Sequence, residues 1–181
     1  MKRTLSVLVA VATVLLASPA AHAGDDPLPG QRLAPRQWPA VPGNPDSLTY
    51  RVGAPVGWRF SQLPDGGAAF EEGRWRLLVQ GQWHERSART QAALKADHLA
   101  DSGKPGLVVE RTTHTAVAGE RVTTLTFRWR PDGGRARLVL VRWIAHGSVA
   151  GARLQVAGGP ADRAGLTDLL DRVTPTVQLA G

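Results

Sequence analysis

Residues that could do chemistry are few and dispersed in this sequence. A nucleophile lies beside a base at His146-Gly147-Ser148. This tripeptide lacks the G-x-S-x-G elbow and the strand-to-helix turn that expose a catalytic serine. It is more typical of a turn between two strands, with His146 at a strand end. A hydrolase whose site is assembled from distant His, Ser and carboxylate residues remains an alternative, and no catalytic residue is predicted.

Metal, acid–base and phosphate-loop chemistry have equally weak signals. No histidine belongs to an H-x-H or H-E-x-x-H motif, so no metal site is predicted. The histidines after residue 23 are His84, His98, His114 and His146. The carboxylate pairs Glu71-Glu72 and Asp168/Asp171 fit a hairpin and a polar helix face. Gly158-Gly159-Pro160 lacks the lysine and glycine spacing of a phosphate loop and suits a helix cap. We therefore expect no cofactor.

Arginine carries the strongest functional signal. The formal net charge is +7, and beyond residue 23 the only lysines are Lys95 and Lys104. Guanidinium groups bind phosphates and carboxylates through paired hydrogen bonds, so clustered arginines predict an anion-binding patch. The predicted patch consists of Arg128, Arg130, Arg135 and Arg137, with Arg74, Arg76, Arg142 and Arg153 as candidate neighbours. The alternative is that these arginines only solvate the outer faces of strands. No basic helix or RNP-like aromatic motif occurs, so nucleic-acid binding is not expected.

The patch belongs to a predicted hairpin from Arg121 to Ile144. In its first run Leu125, Phe127 and Trp129 alternate with polar residues, which indicates a strand with one buried face. The second run is continuously apolar over 138–141, as in a strand covered on both faces. Pro131-Asp132-Gly133-Gly134 has the composition of a turn between them.

The two ends of the chain predict export followed by one folded domain. Residues 1–23 combine Lys2 and Arg3, an uncharged apolar run and an A-x-A site, which is the layout of a cleaved signal peptide. No later stretch is long enough to span a bilayer. The absence of cysteine excludes a lipid-anchored lipoprotein and a disulfide framework. Residues 24–46 are expected to form a Pro-rich extended leader outside any helix or sheet. Trp38 would dock this leader onto its own domain, and docking onto a partner is the alternative. Residues 47–181 would form a single domain.

Short strands and two helices fill that domain. Ser87 or Thr90 is a candidate cap for a helix over Gln91–Ala100 that ends before Gly103. Pro160–Val173 carries Leu166, Leu169, Leu170 and Val173 at helical spacing. Strand patterns cover most of the remaining sequence. The expected class is α+β, an antiparallel β-sheet meander with helices packed on its faces.

Two motifs suggest a family. The corner Pro55-Val56-Gly57-Trp58 precedes a hairpin through Glu72-Gly73-Arg74, and the run Ala118–Leu125 opens the central hairpin. Over Ser47–Leu179 this order resembles the PsbP-like α/β/α sandwich domains. That group includes Mog proteins and secreted actinobacterial relatives of the LpqN and type VII secretion-associated kinds. The resemblance implies the sandwich fold and carries over no catalytic residue.

These observations predict a secreted, non-enzymatic binding or accessory protein of the bacterial cell envelope. Its expected partner is an envelope protein or an anionic polymer, because an arginine-rich surface would attract either. A small-molecule carrier is a further alternative and would need an apolar cleft. The sequence leaves the oligomeric state open.

Overall fold

The computed structural model of the protein describes residue 28, residues 30–131 and residues 134–180, apart from the side chains of Gln82 and Trp83. The predicted signal peptide lies outside the described residues, as does the Asp132-Gly133 centre of the hairpin turn. None of the helices within the described ranges has the length and apolarity needed to cross a membrane.

The described residues form ten strands and two α-helices. The strands are β1 Leu33–Trp38, β2 Thr49–Pro55, β3 Arg59–Gln62, β4 Ala68–Glu72, β5 Trp75–His84, β6 Val108–Val117, β7 Glu120–Trp129, β8 Arg137–His146, β9 Val149–Gly158 and β10 Gln178–Ala180. The helices are α1 Ala88–Ala100 and α2 Arg163–Val173, and short 3₁₀ turns cover Pro160–Asp162 and Thr174–Thr176.

Seven strands form one antiparallel sheet in the order β3-β4-β5-β9-β8-β7-β6. It consists of two meanders, β3 to β5 and β6 to β9, which join where β5 pairs with β9. Helix α1 carries the chain from the middle of this sheet to its far edge at β6. The predicted meander through the central hairpin is therefore confirmed.

The central strands alternate their side chains between two cores. Val139 and Val141 of β8 pack with Leu125 beneath α1, whereas Leu138 and Leu140 pack in the core that α2 covers. Burial of β8 on both faces confirms the prediction. The prediction that β7 has only one buried face is wrong, because Thr124 and Thr126 are buried as well.

Both helices occupy the predicted positions. Ser87 caps α1, since its hydroxyl accepts a hydrogen bond from the Thr90 backbone N–H. The apolar stripe of α2 is fully buried, and it consists of Leu166, Leu169, Leu170 and Val173. Helix α1 packs against β6 to β9, while α2 packs against β8, β9 and β2. Helices on opposite faces of an antiparallel sheet confirm the expected α+β class.

A second sheet has the order β1-β2-β10. The prediction that prolines keep all of residues 24–46 out of a sheet is wrong, because β1 pairs with β2 over its whole length. Pro35 is tolerated because β1 is an edge strand, in which alternate N–H groups need no strand partner. Trp38 is buried and stacks on Tyr50 at 5.4 Å between ring centroids, so the expected docking of this tryptophan is confirmed.

Candidate functional site

The register of the central hairpin separates the predicted arginines. Arg137 lies opposite Trp129, whereas Arg128 lies opposite Leu138. Directly opposed residues share a face and neighbouring residues alternate, so Arg128 and Arg137 lie on opposite faces of the sheet. The expected grouping of all four arginines at one patch is therefore wrong in its geometry. Anion binding by each of them remains a prediction.

Arg128 lies on the α2 side of the sheet, where it takes part in a small ionic network. Its Nε lies 3.5 Å from the Glu110 carboxylate, which also pairs with Arg163 of α2 at 2.6 Å. Arg130 and Arg135 are exposed in the segments that flank the hairpin turn. Arg135 and Arg137 do lie together, since both line a cavity of about 400 Å³ beside Pro160.

Arg137 also belongs to a larger cavity of about 630 Å³, here called the arginine groove. Cross-strand pairing builds its floor, because Arg59, Glu71 and Arg76 lie opposite one another on β3, β4 and β5. Its further lining includes Arg74, Trp75, Trp129 and Gln155. Helix α1 covers the β6 to β9 side of this sheet face. The groove lies toward the other edge of the face.

One carboxylate of the groove is shared by two arginines. Glu71 pairs with Arg59 at 2.7 Å and with Arg76 at 3.0 Å. The hydrogen bond from Arg59, together with the charges of Arg76 and Arg137, holds the pKa of Glu71 below its ordinary value. Glu71 therefore remains ionised and holds Arg59 and Arg76 in place. Its single negative charge does not neutralise the two guanidinium groups.

A second carboxylate lies buried behind the groove. Asp162 is fully buried and accepts hydrogen bonds from Arg74 Nε at 3.0 Å and from Arg74 Nη2 at 2.8 Å. The Gly159 backbone N–H also donates to it, at 2.6 Å. Burial by itself would raise the pKa of Asp162, but the hydrogen bonds from Arg74 and Gly159, together with the Arg74 charge, outweigh burial and hold that pKa below its ordinary value. This pair orients Arg74 along the groove wall.

Arg137 is the cation of the groove that has no carboxylate partner among the described residues. Its Nη2 donates to the Arg74 carbonyl oxygen at 3.1 Å, which positions the guanidinium without a direct ion pair. Arg74 also lies over the Trp75 ring at 5.5 Å. Four guanidinium groups against two carboxylates give the groove an excess of positive charge that suits a phosphate or carboxylate ligand.

The sequence identified part of this site. Arg137 belonged to the predicted patch, and Arg74 and Arg76 were candidate neighbours, whereas Arg59 was missed because its strand is short and remote in sequence. Two other candidate neighbours lie elsewhere. Arg142 is buried and bonded to Thr124, Thr174 and Asp171. Burial and the Arg153 charge lower the pKa of both His84 and Lys95, which places Arg153 beside them.

The alternative chemical candidates stay dispersed. His146 ends β8, and the following Gly147 carbonyl accepts a hydrogen bond from Arg121 at 2.6 Å. Asp171 pairs with Arg142 and Asp168 pairs with Arg172, so the two helix carboxylates act in separate ion pairs. Within the described parts of the chain, no three His, Asp or Glu side chains come together in an arrangement that could hold a metal ion.

Comparison with known proteins supports the fold. No protein-family model matches the sequence, and no curated protein shows significant similarity to it. The solution structure of cyanobacterial PsbP (CyanoP) from Synechocystis sp. PCC 6803 matches with a TM-score of 0.55 at 14% identity. The match covers 90% of this chain and 100% of that one. The chain therefore has a PsbP-like sandwich fold.

A second solved structure is less similar. PA94 from Pseudomonas aeruginosa, a protein of unknown function, matches at 13% identity with a TM-score of 0.41. That match covers 78% of this chain and 92% of that one. Folds of this kind host different functions, so function has to be argued from the groove itself.

Proposed function

We propose that this protein is an exported, non-enzymatic binding domain of the bacterial cell envelope, and that its arginine groove binds an anionic group of an envelope protein or polymer. One observation carries the proposal. The groove gathers four guanidinium groups around a cavity, and among the described residues Arg137 has no carboxylate partner. Such groups bind phosphate or carboxylate oxygens through charge-assisted hydrogen bonds.

Export is the second part of the proposal. The signal-peptide layout of residues 1–23 supports it, as does the arginine-rich composition of the remaining chain. Together with the PsbP-like fold, these features lead us to propose a relationship with the secreted LpqN-type members of that group. Mass spectrometry of the full-length gene product should find a chain that begins at Gly24 outside the cytoplasm. An intact chain confined to the cytoplasm would contradict export.

The binding proposal is tested with the full chain and two defined polyanions, inorganic polyphosphate and poly-L-glutamate. Affinity is measured by isothermal titration calorimetry at low salt and at about 0.15 M salt, where exposed charges are screened beyond ~8 Å. Arg137→Glu should weaken binding about tenfold or more, because it removes a charge-assisted contact and adds repulsion.

Arg111→Glu is the matched control. Arg111 is exposed on β6, at the opposite edge of the sheet from β3. Both substitutions change the net charge equally, so long-range attraction is affected alike. We expect the control to weaken binding less than about threefold at 0.15 M salt. Equal losses for the two variants would mean that only the overall charge attracts the polyanion, and the groove proposal would fail.

A further inference from the structure

A third cavity lies where the edges of the two sheets meet. It has a volume of about 680 Å³ and is bounded by β1 on one side and by the start of β3 on the other. We call it the aromatic groove, because its lining includes Trp38, Trp58, Phe60 and Phe70. The Pro55-Val56-Gly57-Trp58 corner, which suggested the fold family, forms one end of it. Neither the proposed anion site nor the fold comparison gives this cavity a role.

The base of the aromatic groove is rigidly packed. Trp38, Trp58 and Phe70 are almost entirely buried, and Trp38 meets Phe70 edge to face at 5.7 Å. The Trp58 indole N–H donates to the Gln31 side-chain oxygen at 3.1 Å. A base held in this way is formed before any ligand arrives, as in most small-molecule sites.

Apolar surface remains open above this base. Phe60 packs against Trp38 at 5.9 Å and Phe70 at 5.7 Å between ring centroids, yet 49% of the residue is exposed. Val56 is 39% exposed at the same cavity. Exposed aromatic surface beside a preformed cavity costs free energy unless something covers it. The cavity is thus suited to an apolar group of small-molecule size.

The described charged residues that line the aromatic groove have a single sign. Arg32 and Arg36 line it, and none of the other described lining residues is acidic. Neither guanidinium pairs with a carboxylate within the described ranges. An apolar ligand with a cationic head would be repelled here, whereas one with a carboxylate or phosphate would gain a charge-assisted contact.

We propose that the aromatic groove is a binding site for a small amphipathic anion, with its apolar chain or ring on Phe60 and Val56 and its acidic head at Arg36 and Arg32. The volume lies within the range of about 300–1,000 Å³ that is typical of ligand pockets. This site does not involve the arginine groove, and it would remain if polyanion binding there failed.

The test uses the full chain and dodecanoate, kept below its micelle-forming concentration, in isothermal titration calorimetry. The wild type should bind one equivalent. Arg36→Glu and Phe60→Ser should each weaken binding about tenfold or more, because one substitution reverses the charge at the head group and the other removes the apolar contact. The controls are Arg111→Glu and Val109→Ser, exposed positions of matched character on β6, and they should change affinity less than about twofold.

Two further ligands separate the contributions of head and chain. Dodecyltrimethylammonium has the same chain with a positive head and should bind about tenfold more weakly than dodecanoate, and acetate should not bind measurably. Equal binding of the two dodecyl compounds, or unchanged affinity in both groove variants, would overturn the proposal. Binding to anionic lipid vesicles without binding of monomeric dodecanoate would also overturn it, because attraction to a charged surface requires no groove.

Discussion

The buried pair of Asp162 and Arg74 provides the sharpest test of how the sandwich is held together. Two hydrogen bonds, at 3.0 and 2.8 Å, join the Asp162 carboxylate, just before α2, to the guanidinium of Arg74 in the β4–β5 turn. A third, at 2.6 Å, comes from the Gly159 backbone and caps the 3₁₀ turn that leads into the helix. Asp162→Asn keeps the shape of this side chain and removes its charge.

The magnitude follows from the surroundings of the two groups. Breaking a buried ion pair typically costs about 3–5 kcal/mol, because the remaining charge is left without compensation. Here the Arg74 side chain is 27% exposed, so solvent can partly stabilise its charge. We therefore expect Asp162→Asn to lower the free energy of unfolding by about 2–3 kcal/mol at pH 7.

Urea unfolding followed by tryptophan fluorescence measures this loss, and its pH dependence identifies its origin. The folded-state pKa of Asp162 is held below the ordinary value of 3.8. The ionised carboxylate therefore contributes its full stabilisation above that value and loses it as the pH falls through the lowered pKa. The difference between wild type and variant should be constant from pH 7 to about pH 5 and shrink below about pH 4.

Asp168→Asn is the control for the charge change. Asp168 is exposed and pairs with Arg172 at 3.4 Å within the same helix, so its removal should cost less than about 0.5 kcal/mol. A loss below about 0.5 kcal/mol for Asp162→Asn would refute the reasoning. So would a loss that stays constant or grows as the pH falls from 5 to 3.

Two further substitutions test packing and buried hydrogen bonding, again by urea unfolding. Gly81→Ala should lower the free energy of unfolding by about 1–3 kcal/mol, because the new Cβ would lie 2.5 Å from the buried Tyr50 ring. An unchanged unfolding midpoint would show that the ring can move aside without cost. Thr174→Val should lower the free energy of unfolding by about 1–3 kcal/mol, because the Thr174 hydroxyl accepts a hydrogen bond from buried Arg142 at 2.8 Å. A loss near zero would mean that Thr124 and Asp171 meet the hydrogen-bonding needs of Arg142 without Thr174.

Features that are local in sequence were predictable. The alternation of Leu125, Phe127 and Trp129, the Ser87 cap and the leucine spacing of α2 each fix an element through its own neighbours. Strand pairs joined by short turns followed directly, so the meander from β6 to β9 was correct. The confirmed α+β class needed only these local elements, because α2 and the central strands β7 and β8 show apolar faces that must be covered.

Pairing between distant segments was not predictable. Nothing in the sequence of β5 indicates that it pairs with β9, because this pairing depends on where the chain lies after α1. The second sheet was missed for a related reason. Its strand β1 contains Pro35 and lacks apolar alternation, and β10 has only three residues. Such strands form because the backbone of β2 is available for pairing on both sides and because Trp38 packs into the core. Both are tertiary effects.

The candidate site shows the same division. Arginines on strands are recognisable from sequence, but which of them share a face depends on register. In the central hairpin the register opposes Trp129 to Arg137 and thereby puts Arg128 on the other face. Arg59 and Arg76 come together only because both flank Glu71 across β4. Sequence reasoning could name the residue type that binds anions but could not assemble the groove.

Both proposed grooves reach the same edge strand, and the strand's geometry explains why. Arg59 and Phe60 are consecutive on β3, and all four β3 residues are exposed. Since successive side chains of a strand point to opposite faces, Arg59 lines the arginine groove while Phe60 lines the aromatic groove. Apart from the end that carries Trp129 and Arg137, the central strands β7 and β8 have little surface left for ligands, because both of their faces lie in helix-covered cores. Ligand binding is therefore expected toward the edge that the helices leave open, with the Trp129 and Arg137 end of the central hairpin contributing to the arginine groove.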